Sequence, residues 1–322
     1  MKKIIIWRNY ILIYLAIVLI FNLVLLEFPL TKVFGYEFSV LNSVLLVLLV
    51  GIYSIKFYKI HFENKRKFLV KELFISLPLF LIIPFCVSVV NSIFIGFCSF
   101  YDGVLFYIVL TTPSVFIAVS LAMISVVYLK RFNVLFFVIM YLGILSIIIF
   151  EIYFNPQVYI YNAIIGFFPG TVYDEGIAVS GKLILYRFFN ILYFGSVLIY
   201  AIKILTKKQK RNKLYFTYYL LLFPVLFYFF SPDLGYSTTE NSLAKDLNKS
   251  IETNHFVIHF DKRTPNEKIN LIVLNHEYYY QELTKYFNCK PNEKINSFVF
   301  YNDDQKGLLF GSRNADVAKP WL

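Results

Sequence analysis

Few side chains in this sequence are of types and spacings that do chemistry. His276-Glu277 opens like the zinc-binding pattern His-Glu-x-x-His, in which two imidazoles one helical turn apart share an ion and the glutamate handles a proton. Position 280 is Tyr, so the second ligand is missing and the pattern fails. His255 and His259 stand four apart in an alternating, strand-like run. That spacing puts them on one face roughly 13 Å apart at ~3.3 Å per residue, too far to share an ion. Cys86, Cys98 and Cys289 are scattered and make neither a disulfide framework nor a metal knuckle. No Gly-rich phosphate loop and no Gly-x-Ser-x-Gly elbow is present, so no catalytic, cofactor-binding or metal-ligating residue is assigned. Two acidic residues, Asp174 and Glu175, follow a Pro169-Gly170 turn and are the outer-loop candidates for holding a cation or substrate. The plainer reading of the pair is a hydrated loop. Glu151 and Arg187 sit near the outer ends of apolar stretches, where snorkelling to the interface would suffice.

The elements that carry these residues are set by composition. Of 322 residues, 58% are hydrophobic and 16% charged, against about 25% charged in a soluble domain. A single soluble globule is excluded. The net charge of +11 is unevenly spread: residues 1–231 hold 20 Lys/Arg and 8 Asp/Glu, residues 232–322 hold 11 and 12. The excess therefore lies in the apolar part, where it orients a membrane protein, and gives no reason to expect a nucleic-acid partner.

Seven stretches approach the ~20 apolar residues that span hydrocarbon: Tyr10 to Phe28, Phe38 to Tyr58, Leu73 to Phe97, Val104 to Leu129, Val134 to Phe154, Leu183 to Leu205 and Leu214 to Phe230. Pro78 and Pro84 in the third, Pro113 in the fourth and Pro224 in the seventh each remove a backbone donor and tend to kink the helix. With the N-terminus inside, 17 Lys/Arg fall in cytoplasmic segments and only Lys32, Lys182 and Arg187 lie at or near the outer side. The positive-inside rule then places the tail from Ser231 outside the cytoplasm. Val158 to Phe168 is apolar but about half the length of a span, and reads as a re-entrant or interfacial piece.

Three regions follow: a transmembrane helical domain over 1–231, a linker with a short helix over 232–250, and an α/β segment over 251–322. A short helix is expected at Ser242 to Ser250 and a strand at His255 to Phe260. After Thr264-Pro265 comes a long helix with Glu267 completing a capping box, and then a strand at Lys294 to Tyr301. Two strands and one helix cannot readily bury both faces of a sheet, so further covering surface is expected from the membrane part, a partner or more chain.

The series HFVIHFD, NHEYYYQELTKYFNCKPNEKI, NSFVFYNDDQK and GLLFGSRNADVAKPW resembles the opening of the gluzincin-like catalytic domain of bacterial, membrane-anchored MA-clan zinc metallopeptidases, over residues 250 to 322. The resemblance implies a bacterial cytoplasmic (inner) membrane protein. It also implies a leader followed by a zinc helix beyond Leu322, with zinc as cofactor there and a peptide or protein substrate outside the cytoplasm. None of that family's ligands falls on a residue of this sequence, so the chain alone is expected to be inert. The alternatives are a membrane sensor or assembly protein whose outer module binds a ligand or partner, and, with less support, a transporter using the Asp174-Glu175 loop and the Pro-broken spans.

Overall fold

A helix can cross lipid because every N–H and C=O inside it is already paired, and this chain meets that demand over most of its length. The computed structural model describes residues 2–62, 69–96, 99–129, 131–170, 177–207 and 211–319. The apolar part runs α1 (Lys2–Leu25), α2 (Pro29–Lys32), α3 (Tyr36–Phe62), α4 (Leu69–Ile95), α5 (Phe100–Phe106), a π-helical turn (Tyr107–Thr111), α6 (Thr112–Tyr128) and α7 (Asn133–Phe154). A hairpin of β1 (Ile160–Asn162) and β2 (Gly166–Phe168) precedes α8 (Gly181–Lys207) and α9 (Arg211–Phe230). The tail adds α10 (Glu240–Leu247), β3 (Asn248–Glu252), β4 (Phe256–Asp261), α11 (Asn266–Phe287), β5 (Ile295–Val299) and α12 (Asp303–Leu309).

Among the described residues five helical segments are long and apolar enough to cross a bilayer: Tyr36–Ile60, Leu73–Ile95, Phe100–Tyr128, Asn133–Phe154 and Gly181–Leu205. Their outward faces agree with lipid as solvent. Along α7 only Asn133, Phe137 and Tyr141 are buried, while Leu135, Ile139, Leu142, Ile149 and Phe150 stand exposed. A water-facing helix would carry charge there. The chain is thus a helical protein of membrane type. Among the described residues Tyr10–Leu25 and Tyr215–Phe230 are shorter apolar stretches. The first stops early because residues 26–28 turn and Pro29, with no N–H to contribute, opens α2.

Contacts divide the chain into two compact units, one of Met1–Ile149, Tyr161–Phe168 and Ile177–Leu226, the other of Phe150–Ile160, Pro169–Gly176 and Phe227–Leu322. The second therefore takes in the end of α7, which the sequence reading left wholly in the membrane domain. In the first unit α6 is central and buried from Pro113 to Val127 save Phe116. Its hydroxyls are satisfied within the bundle: Ser120 Oγ bonds to the carbonyls of Phe116 at 2.8 Å and Phe194 at 2.7 Å. Gly51 lets α3 approach α7, since a methyl group there would overlap the Phe137 ring.

Val158 to Phe168 contains no helix. Its two three-residue strands are joined by the 163–165 turn, in which Ile164 and Ile165 are buried. Non-helical backbone at membrane depth survives only where protein supplies its partners. Here Tyr36 Oη donates to Phe167 O (2.7 Å), Asn162 Nδ2 to Ile144 O (2.7 Å) and Ser114 Oγ to Ile164 O (3.0 Å).

The tail departs from the expected strand-helix-strand. Residues 248–252, of which 248–250 read from sequence as the end of a short helix, form a third strand. The sheet order is β3-β4-β5, with β3 antiparallel and β5 parallel to β4. Thr239 caps α10 reciprocally with Ser242, and Asn248 in left-handed conformation (φ 65°) ends it and starts β3. Leu243 and Leu247 are fully buried, and α10 is the cover for one sheet face that the two-strand reading lacked. The Thr264–Glu267 capping box does not form. Pro265 takes the N-cap position, and Thr264 Oγ1 is buried with no partner among the described residues. Asn302-Asp303-Asp304 opens α12, with Asn302 Oδ1 accepting from Gln305 N at 2.9 Å.

Candidate functional site

Arg187 is the charge most at odds with its sequence reading. It does not snorkel: it is 2% exposed, on α8, within the first unit. Pro113 has no N–H to give the carbonyl one turn back, Val109, and Arg187 Nε occupies that acceptor at 2.9 Å. The guanidinium also donates to Leu110 O and Ala163 O (2.5 Å), to Ser114 Oγ (3.1 Å) and, at 3.4 Å, to Ile164 O. One planar fork thus binds the carbonyls of the π-helical turn and of the hairpin tip together. No carboxylate is among these partners, so the charge is held by peptide carbonyls and one serine hydroxyl. Such a site positions backbone; it offers no reacting group.

Glu151 is likewise engaged. It accepts from Asn155 Nδ2 at 2.6 Å and Gln157 Nε2 at 3.3 Å, and Gln157 Oε1 in turn accepts from Thr238 N. Lys319, from the Ala-Lys-Pro-Trp sequence, spends its donors on the carbonyls of Ile152 (2.8 Å), Asn155 and Gln157 (2.9 Å). It thereby caps the end of α7, where carbonyls lack helical partners and a cation is favoured. Burial pushes its pKa down to about 8, with Glu151 opposing.

In the α/β module the helix α11 packs on the β4–β5 face through Ile269, Ile272, Val273, His276 and Tyr280, which keep helical spacing. His276 Nδ1 meets Ile272 O at 2.9 Å, an atom that only accepts, so Nδ1 carries a proton. In the neutral ring Nε2 then accepts from Ser297 Oγ on β5, also at 2.9 Å. Glu277 receives the backbone N–H of His255 at 3.2 Å and faces its Nδ1 at 2.6 Å. The Thr253 hydroxyl, and after it His255, hold the Glu277 carboxyl below the usual range. His255 stacks on Tyr280 with ring centres 3.9 Å apart. His259 stacks on Phe298 at 5.1 Å. All three histidines of the tail are therefore engaged with protein groups. Among the described residues no three His, Cys, Asp or Glu side chains gather as a metal site.

Beside this network opens an apolar groove of about 680 Å³ between the C-terminal half of α11 and the start of β5. Phe256, Tyr279, Leu283, Phe287, Pro291 and Ile295 line it, with His276 and Asn275 as polar points. Its size and its apolar wall with a few polar groups are those of a binding cleft. No sequence motif marked it, because its walls come from a strand, a helix and a loop up to 39 residues apart, from Phe256 to Ile295. Asp174 and Glu175, the pair singled out by sequence, lie outside the described residues. Comparisons with protein-family models, with curated proteins and with solved structures gave no match.

Proposed function

We propose that the chain is a seven-span protein of the bacterial inner membrane, N-terminus in the cytoplasm, whose tail forms an extracytoplasmic binding module built like the leader of a gluzincin-like domain. Within these residues it recognises and does not catalyse. The observation that carries the reading is the β4–α11–β5 crossover, which presents an apolar groove while His276 and Glu277 are spent on internal hydrogen bonds. The occupant expected of such a groove is an apolar polypeptide segment, which ties the binding reading to the peptide substrates of the family resembled. Zinc has no assigned ligand in this sequence. The transporter reading leans on Asp174 and Glu175, and nothing in the geometry above favours it.

Two measurements test this. A fluorescent apolar decapeptide should bind the full chain in nanodiscs, and Leu283→Asp should weaken it about tenfold, the equivalent of about 1.4 kcal/mol. Equal affinity for both proteins would remove the groove as the site. Orientation is read at Asp233, exposed just after α9. With Cys86, Cys98 and Cys289 replaced by Ser, Asp233→Cys should react with an impermeant maleimide on intact cells. Reaction only after lysis would reverse the topology.

A further inference from the structure

The sheet order β3-β4-β5 leaves two outer strands, and their sequences are not alike. β3 carries Lys249 and Glu252, charges of the kind that keep an edge from pairing with another chain. β5 reads INSFV, with no charge and no proline. The lysine just ahead of it, Lys294, is tied to Glu252 Oε1 and Thr253 O, each at 2.7 Å, so it does not guard the β5 edge either.

Strand geometry fixes what that edge offers. β5 runs parallel to β4, Ile295 opposite Phe256 and Val299 opposite Phe260, and Ile295 N donates to His255 O at 2.9 Å. Successive residues of a strand turn their backbone groups to opposite sides. Ile295, Ser297 and Val299 therefore bond to β4, while the N–H and C=O of Asn296 and Phe298 point outward and have no partner among the described residues. The same alternation sends the Ile295 and Ser297 side chains to the α11 face, where Ile295 is part of the groove wall and Ser297 meets His276. A strand laid along β5 stands about 4.8 Å from it, and its side chain opposite Ile295 comes within about 5 Å of that residue, at the groove. Edge and groove thus serve one occupant, the first through its backbone and the second through its side chains.

We infer that the occupant is an extended polypeptide segment that adds a strand to the free edge of β5 and sets alternate apolar side chains into the groove. A helical segment spends its N–H and C=O groups internally and has none to give Asn296 and Phe298. The inference rests on the groove as the binding site and goes further by fixing the conformation of what enters it.

The test titrates the full chain in nanodiscs with a fluorescent decapeptide that alternates Leu and Ser, so that the groove fixes its phase. Three forms are used: unmodified, N-methylated at every Leu, and N-methylated at every Ser. An added strand gives the edge the N–H of every other residue only, so one methylated form should bind about tenfold more weakly and the other within about twofold of the parent. On the protein side, Asn296→Pro deletes an outward N–H and no ladder bond, and should weaken the parent about tenfold, while Asn296→Ala stays within about twofold. Parent-like binding by both methylated forms, or equal loss by both, would overturn the inference and leave the groove standing. So would binding of the wholly apolar decapeptide without binding of the alternating one. If neither peptide binds, groove and added strand fall together. With the native cysteines replaced by Ser, a disulfide between two Asn296→Cys chains that the peptide does not displace would assign the edge to a second copy and likewise overturn the inference.

Discussion

Arg187→Met should cost the helix bundle about 3–5 kcal/mol, the usual penalty for stripping one side of a buried, hydrogen-bonded charge site. The cost comes from what is left behind. Val109 O cannot receive an N–H from residue 113, which is Pro, and Ala163 O lies on the non-helical tip of the hairpin. In the apolar surroundings of Leu110 and Leu183 each orphaned acceptor is expensive. Arg187→Lys keeps the charge but has three donors on one point in place of a fork, and cannot reach carbonyls on both sides at once. It should recover less than half of the loss. The thermal midpoint in detergent should fall by roughly 10 °C for Met, at a few degrees per kcal/mol for a domain of this size. Equal midpoints for the wild type and Arg187→Met would mean that the π-helical turn and the hairpin tip are held by something other than this guanidinium. Pro113→Ala provides the complementary check. Restoring the N–H gives Val109 O a second claimant, so the Arg187→Met penalty should shrink in that background, a non-additivity that a double-mutant cycle reads directly.

Length and hydrophobicity made the membrane helices legible, since a run such as Leu73 to Ile95 has few other physical outcomes. The short length of Val158 to Phe168 was equally telling, and that segment contains no spanning helix. What could not be read were pairings between residues far apart in the chain. Arg187 looked like an interfacial residue because sequence shows its distance from the end of a hydrophobic run but not the proline-freed carbonyl 78 positions away. The third strand was missed for a different reason. Asn248-Lys-Ser-Ile-Glu has little intrinsic strand character, and pairing with β4 imposes the extended form. The capping-box reading at Thr264 failed because Asp261 organises that turn. Its backbone carbonyl accepts from Thr264 N and its carboxylate accepts from Arg263 N, each at 2.9 Å. The groove is the least legible feature. Phe256, Leu283 and Ile295 each read as ordinary core positions, and only the crossover of α11 between parallel strands brings them to one opening.

Asp261 is the residue on which the α/β module should prove most sensitive. It ends β4, is 4% exposed, and its carboxylate accepts four hydrogen bonds: from Arg263 N (2.9 Å), Nε (2.8 Å) and Nη2 (2.7 Å), and from Gln305 Nε2 (2.7 Å) on α12. Gln305 Oε1 receives Tyr301 N at 2.8 Å, and the Arg263 guanidinium lies over the Tyr301 ring at 4.7 Å. One carboxylate therefore joins the β4–α11 turn to the segment after β5. Asp261→Ala should destabilise the module by about 3 kcal/mol, since charge-assisted bonds count for ~1.5–3 kcal/mol and Gln305 and the turn amide are left without their acceptor. Asp261→Asn tests the charge alone. The Arg263 hydrogen bonds hold the Asp261 carboxyl well below the usual carboxylate range, so the folded module binds this proton less readily than the unfolded chain does. The stabilisation from the charge is complete above the ordinary carboxylate pKa of about 4 and is lost as pH falls through the lower folded value. Hydrogen exchange at β4 and β5 in the full chain should therefore show Asn less protected than Asp at neutral pH, with the gap narrowing below about pH 4. A gap that stays constant from pH 7 to 2 would assign the effect of the substitution to shape and amide geometry, leaving the Arg263 charge no part in holding the module together.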